Sequence, residues 1–307
     1  MPKFQPLALA VSLALSSSVI ADETKNQDII DEITVVGKSV SFANSATSQE
    51  MQLQQSSLTS ALAVIDNLPG VLVNEGDTFG ADDWSTTVSI RGFQLSLDEQ
   101  QIGITIDGIA NGNSNYGGGA KANRYIDTEN LQGVQVSQGT ADIASRSNEA
   151  LGGTLNFTTI APTQDEEVTT SFSIGDFGAQ KLFTRINTGE FVPDTRAWLS
   201  VSKSASSDWV DQSAENERFH LAAKMVSEQG NTTYTGYVSY DDTHEDNYQR
   251  ISLAQFAENP EWDRLTSDWT GTPYVDQAYR RGWSTLRENF FAYLQAEYVQ
   301  ENLNVKA

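Results

Sequence analysis

Cysteine is missing altogether from the 307-residue chain, and histidine occurs only at His220 and His244. The first absence excludes a disulfide framework, a thiolate metal site and a cysteine nucleophile, and the second leaves no histidine-rich metal set. Basic residues are scarce: 19 Lys and Arg stand against 41 Asp and Glu, for a net charge of −22. So acidic a chain lacks the positive surface that holds phosphate backbones, and no nucleic acid partner is expected. After the N-terminal segment no stretch approaches the roughly 18 consecutive apolar residues of a membrane-crossing helix. That does not touch a membrane β-barrel, whose strands alternate and register weakly in hydropathy. No nucleophile motif or phosphate-binding loop is present either, so neither an enzyme nor a cofactor nor a metal site is expected.

The N-terminus, MPKFQPLALAVSLALSSSVIA, has an early Lys3, an apolar stretch from Leu7 to Leu15 and the small residue Ala21. This is the layout of a secretory signal peptide over residues 1–21, with an apolar stretch too short to span a bilayer. Residues 22–55 are polar and without period, and read as a flexible segment. Within it lies DEITVVG: Asp31, Glu32, Ile33, Thr34, Val35, Val36 and Gly37. Its β-branched run has the chemistry of a strand with no neighbour to pair with.

From Ser56 to Ile160 the chain reads as one compact α+β domain. Ser57 to Asn67 predicts a short amphipathic helix, with Leu58, Ala61, Leu62 and Ile65 on one face, ending at Pro69-Gly70. Apolar pairs at period two then mark half-buried strands: Val71 and Val73, Val88 and Ile90, Ile102 to Ile106, Val134 and Val136, Leu155 and Phe157. Past Pro162 the alternating segments lengthen and carry aromatics near their ends. Their connections alternate too, short ones such as GEFVPD and SEQGN against long ones such as SASSDWVDQSAEN and the stretch from Asp241 to about Arg287. That asymmetry favours the start of an antiparallel transmembrane β-barrel over residues 161–307 rather than a soluble sandwich. The acidic run Asp241 to Asp246 offers hard oxygens to a cation, but reads more simply as a solvated loop tip.

Five motifs in order resemble those of the TonB-dependent outer-membrane receptors: Leu68-Pro69-Gly70-Val71; Ser89-Ile90-Arg91-Gly92-Phe93; Ile104 to Ile109 around Asp107-Gly108; Leu131 to Val136; and Ala150 to Phe157 around Gly152-Gly153. The resemblance implies a plug, residues 56–160, seated in a large barrel of a Gram-negative outer membrane. It also implies that residues 31–37 are a TonB box, which pairs as a strand with TonB of the inner-membrane energy-transducing complex. An exposed β-branched segment on a flexible tether suits such strand addition. The function implied is active import of a scarce extracellular nutrient, most simply a ferric siderophore or similar metal chelate, with an oligosaccharide second. A soluble secreted β-rich binding protein or hydrolase is the rival of a different class.

The plug residues Pro69, Gly70, Arg91, Gly92, Asp107, Gly108, Gly152 and Gly153 read as architecture: tight turns, a hairpin and close backbone approach. Arg91 is expected to leave its strand and pair with a carboxylate. Family members use two plug arginines against barrel glutamates, whereas the second position here is Gln138, which puts that latch in doubt; Arg146 is the nearest substitute in sequence. For cargo the candidates are Trp84, Tyr116, Trp262 and Trp269. Residues 41–160 hold 13 acidic and 4 basic residues, a poor reception for a strongly anionic chelate. A plug of this size needs a barrel of about 22 strands, while the residues after Pro162 have room for about six. The sequence therefore reads as a fragment that does not transport by itself.

Overall fold

A computed structural model describes residues 45–81, 86–96, 102–111, 124–139, 145–147, 150, 152–207, 209–210, 215–301 and 303–307. Residues 31–37, Trp84 and Tyr116 lie outside them.

The first region is built on two small sheets. One has the order β1-β7-β8-β5-β6, with β1 (Ser45–Ala46), β5 (Ile102–Ile106), β6 (Ile109–Asn111), β7 (Leu131–Gln138) and β8 (Gly153–Thr159). Only β5 and β8 run parallel in it. The other is the antiparallel trio β2 (Val71–Asn74), β3 (Thr87–Ile90) and β4 (Phe93–Ser96). The period-two residues meet in one core of Val88, Ile90, Ile104, Ile106, Val136 and Phe157, closed by Leu62 and Ile65. Two readings of the sequence need correction. Residues 45–55 are folded, because β1 pairs with β7 and helix α1 (Gln49–Leu53) starts on Ser48, whose side chain accepts from the Met51 amide. Residues 57–67 form no α-helix: turns lead into a 3-10 helix at Ala63–Asn67.

Turn chemistry sets the hairpins. Asp107 and Gly108 both have positive φ, 51° and 79°, as do Arg91 and Gly92, at 52° and 80°. Each pair makes a two-residue connection of the kind that matches strand twist, joining β5 to β6 and β3 to β4. Arg91 thus stands in the turn itself. Gly153 has φ 127°, and a Cβ there would lie 2.2 Å from the Ser137 carbonyl oxygen, so the backbones of β7 and β8 pass closer than any side chain permits.

The second region is an antiparallel meander, which we call the wall. It runs β9 (Glu166–Ile174), β10 (Gln180–Val192), β11 (Thr195–Ser206), β12 (Asn216–Gln229), β13 (Thr232–Asp246), β14 (Ser284–Gln300) and β15 (Leu303–Lys306). The described residues thus hold seven wall strands where about six were expected. Side chains alternate between faces. Phe172, Leu199, Leu221, Phe290 and Leu294 are exposed on the outer face, while Lys181, Ser202, His220 and Asp241 are buried on the inner one. Register lines the inner residues into rungs, such as Phe183, Ser202, His220, Asp241 and Asn289 across β10 to β14. Apolar out and polar in is the transmembrane-barrel pattern, opposite to a soluble sheet. At one end the strands join by tight turns at 193–194 and 230–231; at the other the connections lengthen to residues 207–215 and 247–283. Asp241 to Asp246 belong to β13, with Asp241, Glu245 and Asp246 buried, so this run is no solvated loop tip.

Candidate functional site at the plug and wall interface

The inner face of a wall strand offers a side chain every second residue, and what stands there decides what can be held. On β12 the inward positions include Arg218, His220, Ala222 and Lys224. Arg218 Nη1 donates to Asp127 Oδ1 at 2.8 Å, and Arg218 Nε donates to Asp241 Oδ1 at 2.5 Å. Lys181 of β10 comes within 3.4 Å of the same Asp127 oxygen and donates to Glu129 at 2.7 Å and to the Ser57 carbonyl at 3.0 Å. Ser202 donates to the second Asp127 oxygen at 2.6 Å. His220 Nδ1 lies 3.1 Å from Asp241 Oδ1. Asp127 belongs to the first region, just before a 3-10 turn at Thr128–Asn130, and is fully buried.

Burial works against the ionised form of Asp127. Lys181, His220 and Arg218, with the Ser202 hydroxyl, outweigh that cost and hold its carboxyl well below the usual range. Burial pushes Glu129 the other way, upward, with the neighbouring Asp127 charge adding to it and Lys181 only partly offsetting both. Two carboxylates sharing one lysine therefore differ in character: the site favours ionisation of Asp127 and disfavours that of Glu129.

A second cluster forms around Asp107 at the β5–β6 turn. Its Oδ1 accepts from the Thr159 amide at 2.8 Å; its Oδ2 accepts from the Thr159 hydroxyl at 2.6 Å and the Tyr293 hydroxyl at 2.7 Å. Lys224 reaches Asp107 Oδ2 at 3.3 Å and Thr159 Oγ1 at 2.8 Å. Aromatic contacts flank this cluster. Trp198 donates to the Ile160 carbonyl at 3.0 Å, Tyr237 donates to the Tyr125 carbonyl at 2.6 Å, and Tyr125 meets Phe291 at 5.5 Å between ring centroids. None of Asp127, Lys181, Arg218 or Lys224 stands out in the sequence, because ion pairs across 50 to 120 residues leave no local pattern; only their period-two placement on inward positions could have marked the wall cations.

Among the described residues Arg91 meets a neutral partner and no carboxylate: its Nε donates to Gln138 Oε1 at 3.1 Å. Gln138, nearly buried, returns Nε2 to the Pro69 carbonyl at 2.9 Å and the Ser45 hydroxyl at 3.0 Å. An amide can accept from one side and donate to the other, so Gln138 ties the β3–β4 turn, Pro69 and β1 together in a way a second arginine could not. Arg146 is exposed. Gly70 has φ 80°, and its carbonyl accepts from the Arg91 amide at 2.7 Å.

Trp262 and Trp269 stand on the long connection 247–283, Trp269 at 66 % exposure and packed edge-on against Tyr279. That connection has its own core, in which buried Arg280 grips buried Asp263 through both terminal nitrogens, at 2.6 and 3.0 Å. Asp276 caps the turn 270–272 with its side chain. A cleft between the first region and the wall is lined by Ser60, Phe79 and Arg124 on one side and Lys181, Asn216 and Glu245 on the other. Neither tryptophan lines it.

Residues 38–154 match the family model described as the TonB-dependent Receptor Plug Domain. The first region is therefore a plug domain of the kind that model describes. Comparison with curated proteins by sequence gives no match. Among solved structures the chain is similar to the Pseudomonas aeruginosa receptor FpvA bound to heterologous pyoverdines, with TM-score 0.60 and 17 % identity over 84 % of this chain and 32 % of that one. It is similar to the ferric citrate transporter FecA in unliganded form, with TM-score 0.61 and 17 % identity over 85 % of this chain and 38 % of that one. It is also similar to the siderophore receptor PiuA of Acinetobacter baumannii, with TM-score 0.58 and 18 % identity over 84 % and 34 %. At such identity the likeness concerns the fold, and the chain spans about a third of each of those proteins.

Proposed function

We propose that this chain is the N-terminal part of an outer-membrane receptor that binds a scarce extracellular nutrient and imports it with energy delivered through TonB. The observation that carries the reading is a plug attached through polar contacts to the inner face of a sheet whose outer face is apolar. A plug welded in place by apolar burial would resist displacement, whereas hydrogen bonds and ion pairs exchange for water as the surfaces part. The outer face weighs against a soluble secreted protein, since Phe172, Leu286, Phe290 and Leu294 would all face water. In this reading residues 1–21 direct export, residues 31–37 add as a strand to TonB in the periplasm, and the connection 247–283 faces outward.

Ferric siderophores or similar metal chelates are the proposed cargo, because the named activities of the similar structures are of that kind. An oligosaccharide is the second reading, favoured by the exposed aromatic faces of Trp262, Trp269 and Tyr274 on the outer connection. Proline at Val35 would remove a backbone donor from the pairing strand. Val35→Pro in the complete receptor should abolish energy-dependent uptake while leaving cargo binding at the cell surface intact. Uptake at the unsubstituted rate would overturn the assignment of residues 31–37.

A further inference from the structure

We propose that the plug is retained against this part of the wall by a two-point anchor of inverted polarity, in which plug carboxylates Asp127 and Asp107 are gripped by Arg218 and Lys224 of the single strand β12. The latch implied by the family resemblance puts arginines on the plug and acids on the wall. Here Arg91 is spent on Gln138, a contact inside the plug, while both charged contacts named run from acid on the plug to base on the wall. Arg218 and Lys224 stand six positions apart on the same face of β12, which sets the two points about 20 Å apart along the strand.

Each anchor is also oriented by contacts within the plug. Asp107 is oriented by the Thr159 amide and hydroxyl of β8, and its turn is fixed by the Asp107 amide donating to the Phe157 carbonyl at 2.8 Å. Asp127 is followed by a 3-10 turn whose Asn130 amide donates back to its carbonyl at 2.9 Å, and Asn130 donates onward to Ser200 of β11 at 2.8 Å. Between the anchors β12 carries Ala222, small and buried in an apolar cluster with Trp198 and Tyr237, against which Ile160 packs. Two separated points resist rotation of the plug as well as withdrawal, which one point could not.

The inference rests on the plug-and-wall architecture and is independent of transport. These 307 residues have no cysteine, so one placed among them is read against the labelling of the unsubstituted receptor as background. Ser239 of β13 is buried on the inner face, pairs in register with Ala222 between the anchors, and belongs to neither. Ser239→Cys, in outer membranes from cells expressing the gene, would be exposed to a membrane-impermeant thiol reagent. Asp127→Asn and Asp107→Asn should each raise the labelling rate about tenfold or more, since each removes the plug carboxylate that faces a β12 cation across the interface. The double variant should exceed either, and Arg91→Gln should change the rate by less than about twofold, as expected of a contact that does not cross the interface. If a carboxylate variant does not accumulate, the exchange Asp107→Lys with Lys224→Asp carries the test: recovery of slow labelling relative to Lys224→Asp alone supports charge pairing. Unchanged labelling in both carboxylate variants, or no recovery in the exchange, would overturn the anchor while leaving the Val35→Pro result to stand or fall separately.

Discussion

Asp127 and Gly153 show how far a single residue commits this molecule. The folded carboxyl of Asp127 titrates below the unfolded value of about 3.9, so its ionic contribution is fully present above that value and is lost as pH falls through the lowered one. Acidification below about pH 4 should therefore loosen the plug segment around residues 124–130. Hydrogen exchange there, corrected for its intrinsic pH dependence, should show protection falling in that window and a flatter profile in Asp127→Asn. Glu129 has the opposite sign: burial raises it, so its charge at neutral pH is a cost that Lys181 only partly repays. Glu129→Gln should thus loosen the same segment less than Asp127→Asn, although both side chains touch Lys181. Gly153→Ala meets a backbone oxygen at 2.2 Å with φ 127°, and should cost about 3 kcal/mol or more. Gly92→Ala has a similar need for positive φ but nothing within 4 Å, and should cost about 1 kcal/mol. Pulse proteolysis across a urea series ranks the two; an equal loss would show that conformation, and not contact with Ser137, governs position 153.

At the scale of elements, what the sequence discloses depends on whether a pattern is local. The strands at Val71, Val88, Ile102, Val134 and Leu155 could be read because alternation is written into five residues or so, and the Asp107-Gly108 hairpin because its turn type demands those residues. The helix expected over 57–67 had the right apolar spacing, yet Ser56 and Ser60 accept from the Leu58 and Leu62 amides and Thr59 donates to the Ser56 carbonyl. Those side chains compete for the groups an α-helix would use, and Pro69-Gly70 leaves no room to recover them. Residues 45–55 looked unfolded because a two-residue strand has no period of its own; only its partner β7 reveals it. The acidic run at 241–246 looked solvated because its partners, Arg218, His220 and Arg287, lie on neighbouring strands. The wall itself makes a prediction of this scale. Leu221 faces outward midway along β12, so Leu221→Arg should cost about 2–4 kcal/mol of membrane stability, while the same change near an end of a strand should cost about 1 kcal/mol or less. Recovery of the protein in outer-membrane fractions measures the difference, and equal recovery of both variants would count against a lipid-facing surface.

For the whole molecule the deciding quantity is the number of strands against the size of what they must enclose. Seven strands of a barrel of about 22 would make roughly a third of a closed wall. In the described residues β9 and β15 pair on one edge each, so the sheet presents two rows of unpaired backbone groups. In hydrocarbon each such group costs several kcal/mol, because no water replaces the missing partner. In water the same edges, flanked by Val168, Phe172, Ile174 and Val305 on exposed faces, are templates for association. Neither solvent accommodates the sheet unless further strands pair with both edges. Residues 1–307 expressed by themselves should accordingly reach the periplasm and then aggregate or be degraded, whereas the same residues continued by enough strands to close the wall should resist protease and shift mobility on heating. A heat-modifiable, protease-resistant outer-membrane species formed by residues 1–307 alone would mean that copies close the wall by pairing β9 of one with β15 of the next, and cross-linking of that species would have to show a ring of about three chains.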